Sequence, residues 1–447
     1  MNHRHRSIGR RWARVSGPRR RPDSGRPHAY YLALGFPAAA SCADRMRATA
    51  DQLYAQGWDI TVVTACGERE SGLDPRIRVV ELPLRRAELD TDIRAFTRAR
   101  SVDPAGWAAE ADLRNREVFP EPHFGGWRPA LERAILALHR RDPADLLVTA
   151  CAPFVSLAAT WRLWQEHQVP YVVDLGAGWS VDGAGEETFT PTSIAGRWEA
   201  KVLAEAVAVW CAEEPVAEHY RTRFPAVADR VATVPDGYDE EAVPPADRAR
   251  KPGAGLRFGH LGTITVPAAV LTAVLDGWRK ARAEDPALAD ATLEFRAGAT
   301  CEDTAAEELV RTAYEDGVRT GGPVPRAEVA QLYAGWDVLV LIETGSGRAY
   351  EALAGGMPVL SVHKPDHAGA RVLTGSPMWT GAVGHEAGLL AESFRQAARL
   401  ALTATAEDRQ AARGAAAGHT RTALLEPAVR QVTTTVRPTP VPAGETS

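Results

Sequence analysis

The sequence lacks any apolar run long enough to cross a bilayer. Its most hydrophobic window, Leu147 to Trp161, is shorter than the roughly 20 residues a spanning helix needs and is interrupted by Pro153. It lacks cysteine pairs: Cys42, Cys66, Cys151, Cys211 and Cys301 lie far apart, with no spacing that suggests a metal site or a redox couple, which leaves buried, reduced thiols as the reading. No Asp-x-Asp motif follows a strand-like run, so no metal is expected. A basic surplus is missing as well. The total formal charge is −5, and residues 1–27 carry nine arginines against the single acid Asp23, which leaves −13 on the remainder. An acidic body excludes a nucleic-acid binder, which needs a cationic face to displace counterions from phosphates. The basic leader has no apolar stretch of signal-peptide length, which points to the cytoplasm. It reads as a disordered or mis-started segment, with weak contact to an anionic inner membrane face as the alternative.

What is present is an ordinary soluble composition, 45% apolar and 24% charged, over 447 residues, enough for two α/β domains. From His28 onward short apolar runs alternate with amphipathic stretches, the pattern of repeated βαβ units. Strands are expected at Tyr30–Leu34, Asp59–Thr64, Ile77–Leu82, Leu146–Thr149, Val169–Leu175 and Val231–Val234, with a mixed, partly helical insertion from Arg85 to Trp127. Residues 239–255, rich in proline and glycine, read as an interdomain linker. Strands at Arg257–Leu261, Thr292–Arg296, Val338–Ile342 and Val359–Val362 then build a second domain, residues 256–432. Its last helix, roughly Glu407–Val432, is expected to cross back onto the first domain, residues 28–238; a disordered tail follows from Thr433.

The chemistry concentrates in Val338–Leu360. An apolar strand ends at Glu343, a turn Gly345-Ser346-Gly347 follows, and a helix runs from there to Gly355 and Gly356. A helix that starts at the carboxyl edge of a sheet presents unpaired N–H groups and the positive end of its dipole, a ready site for a phosphate. Glu343 sits at the strand end beside that anion, and Glu351 stands where a ribose diol would find an acceptor. As a bare strand, turn and helix the segment is equally a tight connection whose acids face solvent.

Glu343, seven residues and Glu351, followed by Ala352-Leu-Ala-Gly-Gly-Met-Pro-Val359, resembles the signature of the large retaining GT-B glycosyltransferase family, the family 4-like transferases. The resemblance implies two Rossmann-like domains facing across a cleft. It places Glu343 near the donor sugar, Glu351 on the nucleotide ribose, and the amides of Gly345, Ser346 and Gly347 on the diphosphate. Val231-Ala-Thr-Val-Pro-Asp-Gly-Tyr-Asp239 is similar to the family's turn before the linker. Val318–Arg326 is similar to the segment that lines the base, with Val324 packed on it, and Gly262 and Thr263 correspond to the opening of the second domain. Phe119–Trp127 resembles a stretch common in bacterial members. The alanine, arginine and glycine content is that of a GC-rich bacterial genome, where such enzymes decorate natural products or envelope polymers.

The sequence also departs from that family. Thr263 and Pro267 stand where members usually carry an Arg and a Lys that neutralise the diphosphate, leaving Arg296 and Arg348 as candidate substitutes. Ala38-Ala-Ala-Ser41 replaces the paired glycines of the first turn, and Gly176-Ala-Gly-Trp179 replaces Arg-Asp-Pro-Trp. His123, Asp174 and Trp179 form a candidate acceptor set. The expectation is metal-independent transfer of a hexosyl group, with retention, from a nucleotide-sugar donor to an unidentified acceptor. The lost cations and glycines favour a second reading, a degenerate homologue that serves as a binding partner of another transferase. A sugar epimerase on the same fold is a third.

Overall fold

In the computed structural model the described residues are 14–16, 25–34, 41–65, 74–84, 93–182, 186–244, 254–262, 264, 266–296, 304–322, 324–343, 345–365 and 367–437. Two sheets organise them. The first contains β1 (Arg14–Ser16), β2 (His28–Leu32), β3 (Asp59–Ala65), β4 (Arg78–Leu82), β5 (Leu146–Ala150), β6 (Tyr171–Leu175), β7 (Ala208–Cys211) and β8 (Val231–Thr233), in the order β1-β4-β3-β2-β5-β6-β7-β8. All pairs are parallel except β1 on β4. Its helices are α1 (Ser41–Ala55), α2 (Arg98–Val102), α3 (Pro104–Val118), α4 (Arg128–Arg141), α5 (Ser156–His167), α6 (Ile194–Glu205) and α7 (Glu214–Arg223).

The second sheet contains β9 (Arg257–Leu261), β10 (Thr292–Arg296), β11 (Val318–Gly321), β12 (Val338–Ile342), β13 (Val359–His363) and β14 (Trp379–Val383), all parallel, in the order β11-β10-β9-β12-β13-β14. With it go α8 (Ala268–Glu284), α9 (Thr304–Thr312), α10 (Arg326–Ala334), α11 (Ser346–Gly355), α12 (Ala368–Leu373), α13 (Ala387–Thr403), α14 (Ala406–Ala416) and α15 (Arg421–Val436).

Parallel strands covered on both faces bury every side chain, which is why they read as unbroken apolar runs. In β2, Tyr30 and Leu32 point into a core shared with α4, α5, α6 and α7, while Ala29 and Tyr31 point into one shared with α1 and α15. The second sheet divides likewise: Phe258 packs with Trp278 of α8 and Phe394 of α13, and Leu339 and Leu341 pack with Tyr333 of α10 and Leu353 of α11. Gly259 is required by close approach, since a Cβ there would lie 1.9 Å from the Trp336 ring.

Three segments differ from the sequence reading. Residues 14–16 of the leader form an edge strand. The single helix expected over Glu407–Val432 is two, α14 and α15, separated at Gly418, whose φ of +82° only glycine adopts freely. The second continues past Thr433 to Val436 because its apolar stripe, Leu425, Val429 and Val432, is buried on the first domain; there the Trp58 indole N–H donates to Thr433 Oγ1 at 2.9 Å. Cys151 and Cys211 are free and buried. No helix among the described residues is long and apolar enough to cross a membrane.

The strand order reverses between β2 and β5 in the first sheet and between β9 and β12 in the second. In open α/β sheets ligands bind outside the carboxyl ends of the strands at such reversals.

Candidate active site

At the reversal in the second sheet, β12 ends in five buried aliphatic residues and passes into Glu343, whose N–H donates to the Val362 carbonyl at 2.8 Å. Glu343 has a φ of +45°, a left-handed conformation that a residue with a side chain adopts at a cost and that the surrounding structure must enforce. Gly345 is the N-cap of α11 and offers no side-chain cap, so the amides of its first turn depend on groups outside the helix. Ser346 is buried, 2% exposed, and its amide and hydroxyl are turned toward the Glu213 carboxylate of the first lobe. The amino end of α11 faces the first lobe. A Cβ on Gly347 would lie 3.5 Å from Cβ of Asp236 and 3.6 Å from the Gly237 carbonyl, in the loop after β8.

Charged groups surround this end. Glu213, the N-cap of α7 on the first lobe, leaves its own helix uncapped; its carboxylate stands against Ser346 and 3.8 Å from Arg371 Nη2 on α12. Burial raises the Glu213 pKa, and the contacts with Ser346 oppose that rise. His385, just past β14, places Nε2 3.2 Å from Glu343 Oε1. A buried guanidinium, Arg421 at the start of α15, lies 3.7 Å from a Cβ placed on Gly347 and 2.5 Å from Asp239 Oδ2.

The structure turns Glu351 inward. It is 1% exposed, and its Oε2 accepts from the Tyr333 hydroxyl and from Arg348 Nη1, both at 2.6 Å. Its Oε1 is 3.9 Å from Arg421 Nη2 and is the oxygen with capacity to spare. Arg348 therefore runs along α11 away from the amino end, its charge held by Glu351, and is not aimed at the anion site. Arg296 also departs from its expected role: it lies across Gly321 at the edge of the sheet, with Nε 2.8 Å from Glu294 Oε1. Gly262 follows β9 at a φ of +141°, its N–H donating to the Arg296 carbonyl at 3.0 Å, beside His260, whose pKa burial lowers to about 4. Val324 packs against the same core as Leu353 at the entry to α10. Thr263 and the turn at Ala38-Ala-Ala lie outside the described residues.

The acceptor set does not assemble. Asp174, 2% exposed, is the penultimate residue of β6, its Oδ1 taking hydrogen bonds from Arg45 Nε at 3.0 Å and Nη2 at 2.7 Å. Trp179 is a core ring, stacked on Phe119 at 5.5 Å and Phe154 at 5.1 Å, with Phe189 edge-on at 5.4 Å. His123, half exposed on the turn after α3, places Nδ1 2.9 Å from Asp112 Oδ1. Sequence reasoning missed Glu213, Arg371, His385 and Arg421. His385 and Arg371 had a findable signal, because each follows the carboxyl end of a strand in the second sheet; Arg421 had none. Among the described residues no group of three or more His, Cys, Asp or Glu side chains is arranged to hold a metal ion.

Residues 42–237 match the model of the glycosyl transferase 4-like domain. No curated protein matches the chain by sequence. Among solved structures, the chain is similar to sucrose-phosphate synthase from Thermosynechococcus elongatus, at 16% identity and a TM-score of 0.65 over 92% of this chain and 100% of that one. It is similar to Alr3699/HepE from Anabaena in complex with UDP and glucose, at 13% identity and a TM-score of 0.60 over 91% and 99%. The α,α-trehalose 6-phosphate synthase of Burkholderia multivorans is similar at 13% identity and a TM-score of 0.59 over 92% and 99%. The fold is GT-B: two parallel-sheet α/β domains, the first of which contains the residues that match the glycosyl transferase 4-like model.

Proposed function

We propose that the chain is a glycosyltransferase that moves a hexosyl group from a nucleotide-sugar donor to an acceptor, with retention at the anomeric carbon and without a metal ion. The observation that carries the reading is the amino end of α11. It has no side-chain cap of its own, lies at the β9/β12 reversal, and carries the buried Ser346, which an anion, the Glu213 carboxylate, already faces, beside a strained Glu343. Amides fixed in that position stabilise the charge that grows on a departing diphosphate without reorganising during the reaction. Arg371, with Arg421 behind Gly347, supplies the cationic charge expected after β9, and Glu343 orients the sugar with His385 beside it. The glycosyl transferase 4-like match and a similar structure that holds UDP and glucose support a nucleotide-sugar donor.

Calorimetry with a panel of nucleoside diphosphates tests the site, and the reading fails if none binds. A donor screen with hydrolysis as readout, repeated with a chelator, then tests transfer chemistry and metal independence together. The second reading, a degenerate binding partner, is favoured by one observation, the burial of Glu351 among Tyr333, Arg348 and Arg421. It predicts nucleotide binding without hydrolysis of any donor.

A further inference from the structure

The helices α4, α5 and α6 of the first lobe line a half-open pocket of about 160 Å³ that shares no residue with the site at α11. Two indoles and three cations line it: Trp161, Trp198, Arg128, Arg162 and Lys201. Both rings are fixed from behind. Trp161 stacks on Trp164 at 4.9 Å, and Trp198 lies 5.3 Å from Phe119. Lys201 Nζ stands 3.4 Å from the centre of the Trp198 ring and 5.0 Å from that of Trp161, with the Arg128 guanidinium 4.8 Å from Trp198.

A lysine lying along a tryptophan is ordinarily surface packing. Here the charge balance adds a second fact. Arg128 donates to Glu132 at 2.8 Å and Arg162 pairs with Glu166 at 2.5 Å, whereas Lys201 has no ion pair among the described residues. Burial and the neighbouring Arg128 lower its pKa and the Glu132 carboxylate opposes them, so that two carboxylates, Glu132 and Glu166, stand against three cations. The pocket is below the roughly 300 Å³ at which drug-sized ligands begin, so its occupant is small. The indoles beside the cations suit the C–H face of a sugar ring, Gln165 and Glu132 offer hydrogen-bonding groups to hydroxyls, and the surplus positive charge calls for an anion.

We propose that this pocket binds a single anionic monosaccharide, a pyranose bearing a phosphate or a carboxylate, through Lys201 and Trp161. The site is separate from the cleft and does not depend on the donor reading. The occupant is either a free sugar acid or sugar phosphate or the terminal residue of an acidic glycan, since both present the same ring and charge.

The test is calorimetry on the full chain with glucose 6-phosphate, glucuronate, glucose and inorganic phosphate. Glucose 6-phosphate or glucuronate is expected to bind saturably, at least tenfold more tightly than glucose or phosphate. Lys201→Gln and Arg162→Gln, at partly exposed positions that leave the core intact, each weaken that binding, Lys201→Gln by tenfold or more. Trp161→Leu tests the ring; if its melting curve shows a loss of folding, Lys201→Gln carries the test. The proposal is overturned if neither anionic sugar binds saturably, if phosphate alone binds as well, if Lys201→Gln leaves affinity unchanged, or if saturating UDP abolishes binding, which would place the sugar in the cleft. A glucuronate-terminated oligosaccharide binding more tightly than glucuronate identifies the glycan source; equal affinity identifies the free sugar.

Discussion

Glu213 of the first lobe and Arg371 of the second face each other across the cleft at 3.8 Å, with the Glu213 carboxylate against the first turn of α11. A carboxylate there occupies the position a diphosphate needs and repels it. Glu213→Ala is therefore expected to tighten nucleoside diphosphate binding by about two- to fivefold, the effect of about 0.5 to 1 kcal/mol from one partly screened charge. Burial raises the Glu213 pKa, so the same affinity should rise as pH falls and the carboxylate is neutralised. Titration of both proteins by calorimetry across pH decides it; an unchanged affinity in the variant removes Glu213 from the site.

In the proposed reading Arg371 takes the diphosphate-neutralising role for which the sequence offered Arg296 and Arg348 as candidates. Arg371→Gln should weaken diphosphate binding by about tenfold, the size of one charge-assisted hydrogen bond. Arg296→Gln should leave it unaltered, because that side chain is committed to Glu294 at the sheet edge. The reverse ranking in a binding assay would show that the lobes rearrange around the donor.

Glu351 compensates two buried guanidinium groups, those of Arg348 and Arg421. Glu351→Ala leaves both without it, at an expected cost of about 3 kcal/mol in a urea melt, and should weaken nucleotide binding as well. A stable variant that has lost only ribose-dependent affinity would mean that Glu351 faces the ligand rather than the core.

Glu121 bridges a loop to the start of α5, accepting from the N–H groups of Phe154 at 2.8 Å and Val155 at 2.7 Å. Burial outweighs those bonds and raises its pKa from 4.5 to about 7. Because the folded pKa lies above the unfolded one, the native state binds the extra proton between these values. Its contribution is fully present below about pH 4.5 and is lost as pH climbs through 7, a decline on the order of 3 kcal/mol. Denaturant melts at pH 5 and pH 7.5 should show that loss in the wild type and a smaller one in Glu121→Gln; parallel losses would assign it to other groups.

Gly259→Ala brings a methyl group to 1.9 Å from the Trp336 indole in a strand buried on both faces. The expected destabilisation is about 3 kcal/mol, read as a lowered urea midpoint at constant slope. A melt indistinguishable from wild type would show that Trp336 has room to move.

The strands at Arg257–Leu261, Thr292–Arg296 and Val338–Ile342 were legible to the residue: Val338–Ile342 is an apolar run buried throughout, and Thr292–Arg296 alternates polar residues with the buried Leu293 and Phe295. The strands β7 and β14 were not. Ala208–Cys211 is four residues long, and Trp379–Val383 alternates buried and exposed positions like an edge. The turn that starts α11 was legible for a local reason: strand, glycine and helix follow one another within ten residues, so covalent connection alone sets where the first-turn amides lie.

The sequence by itself determined the two α/β halves and the position of that helix start, since periodicity and turn chemistry act over a few residues. Only the tertiary structure decided which charges meet there. Glu213, Arg371 and Arg421 are separated along the chain by tens of residues, and only the packing of two lobes and the return of α15 places them together. The same packing drew Glu351, Asp174 and Trp179 inward, because a buried guanidinium left without a carboxylate is costly and a large ring packs on other rings.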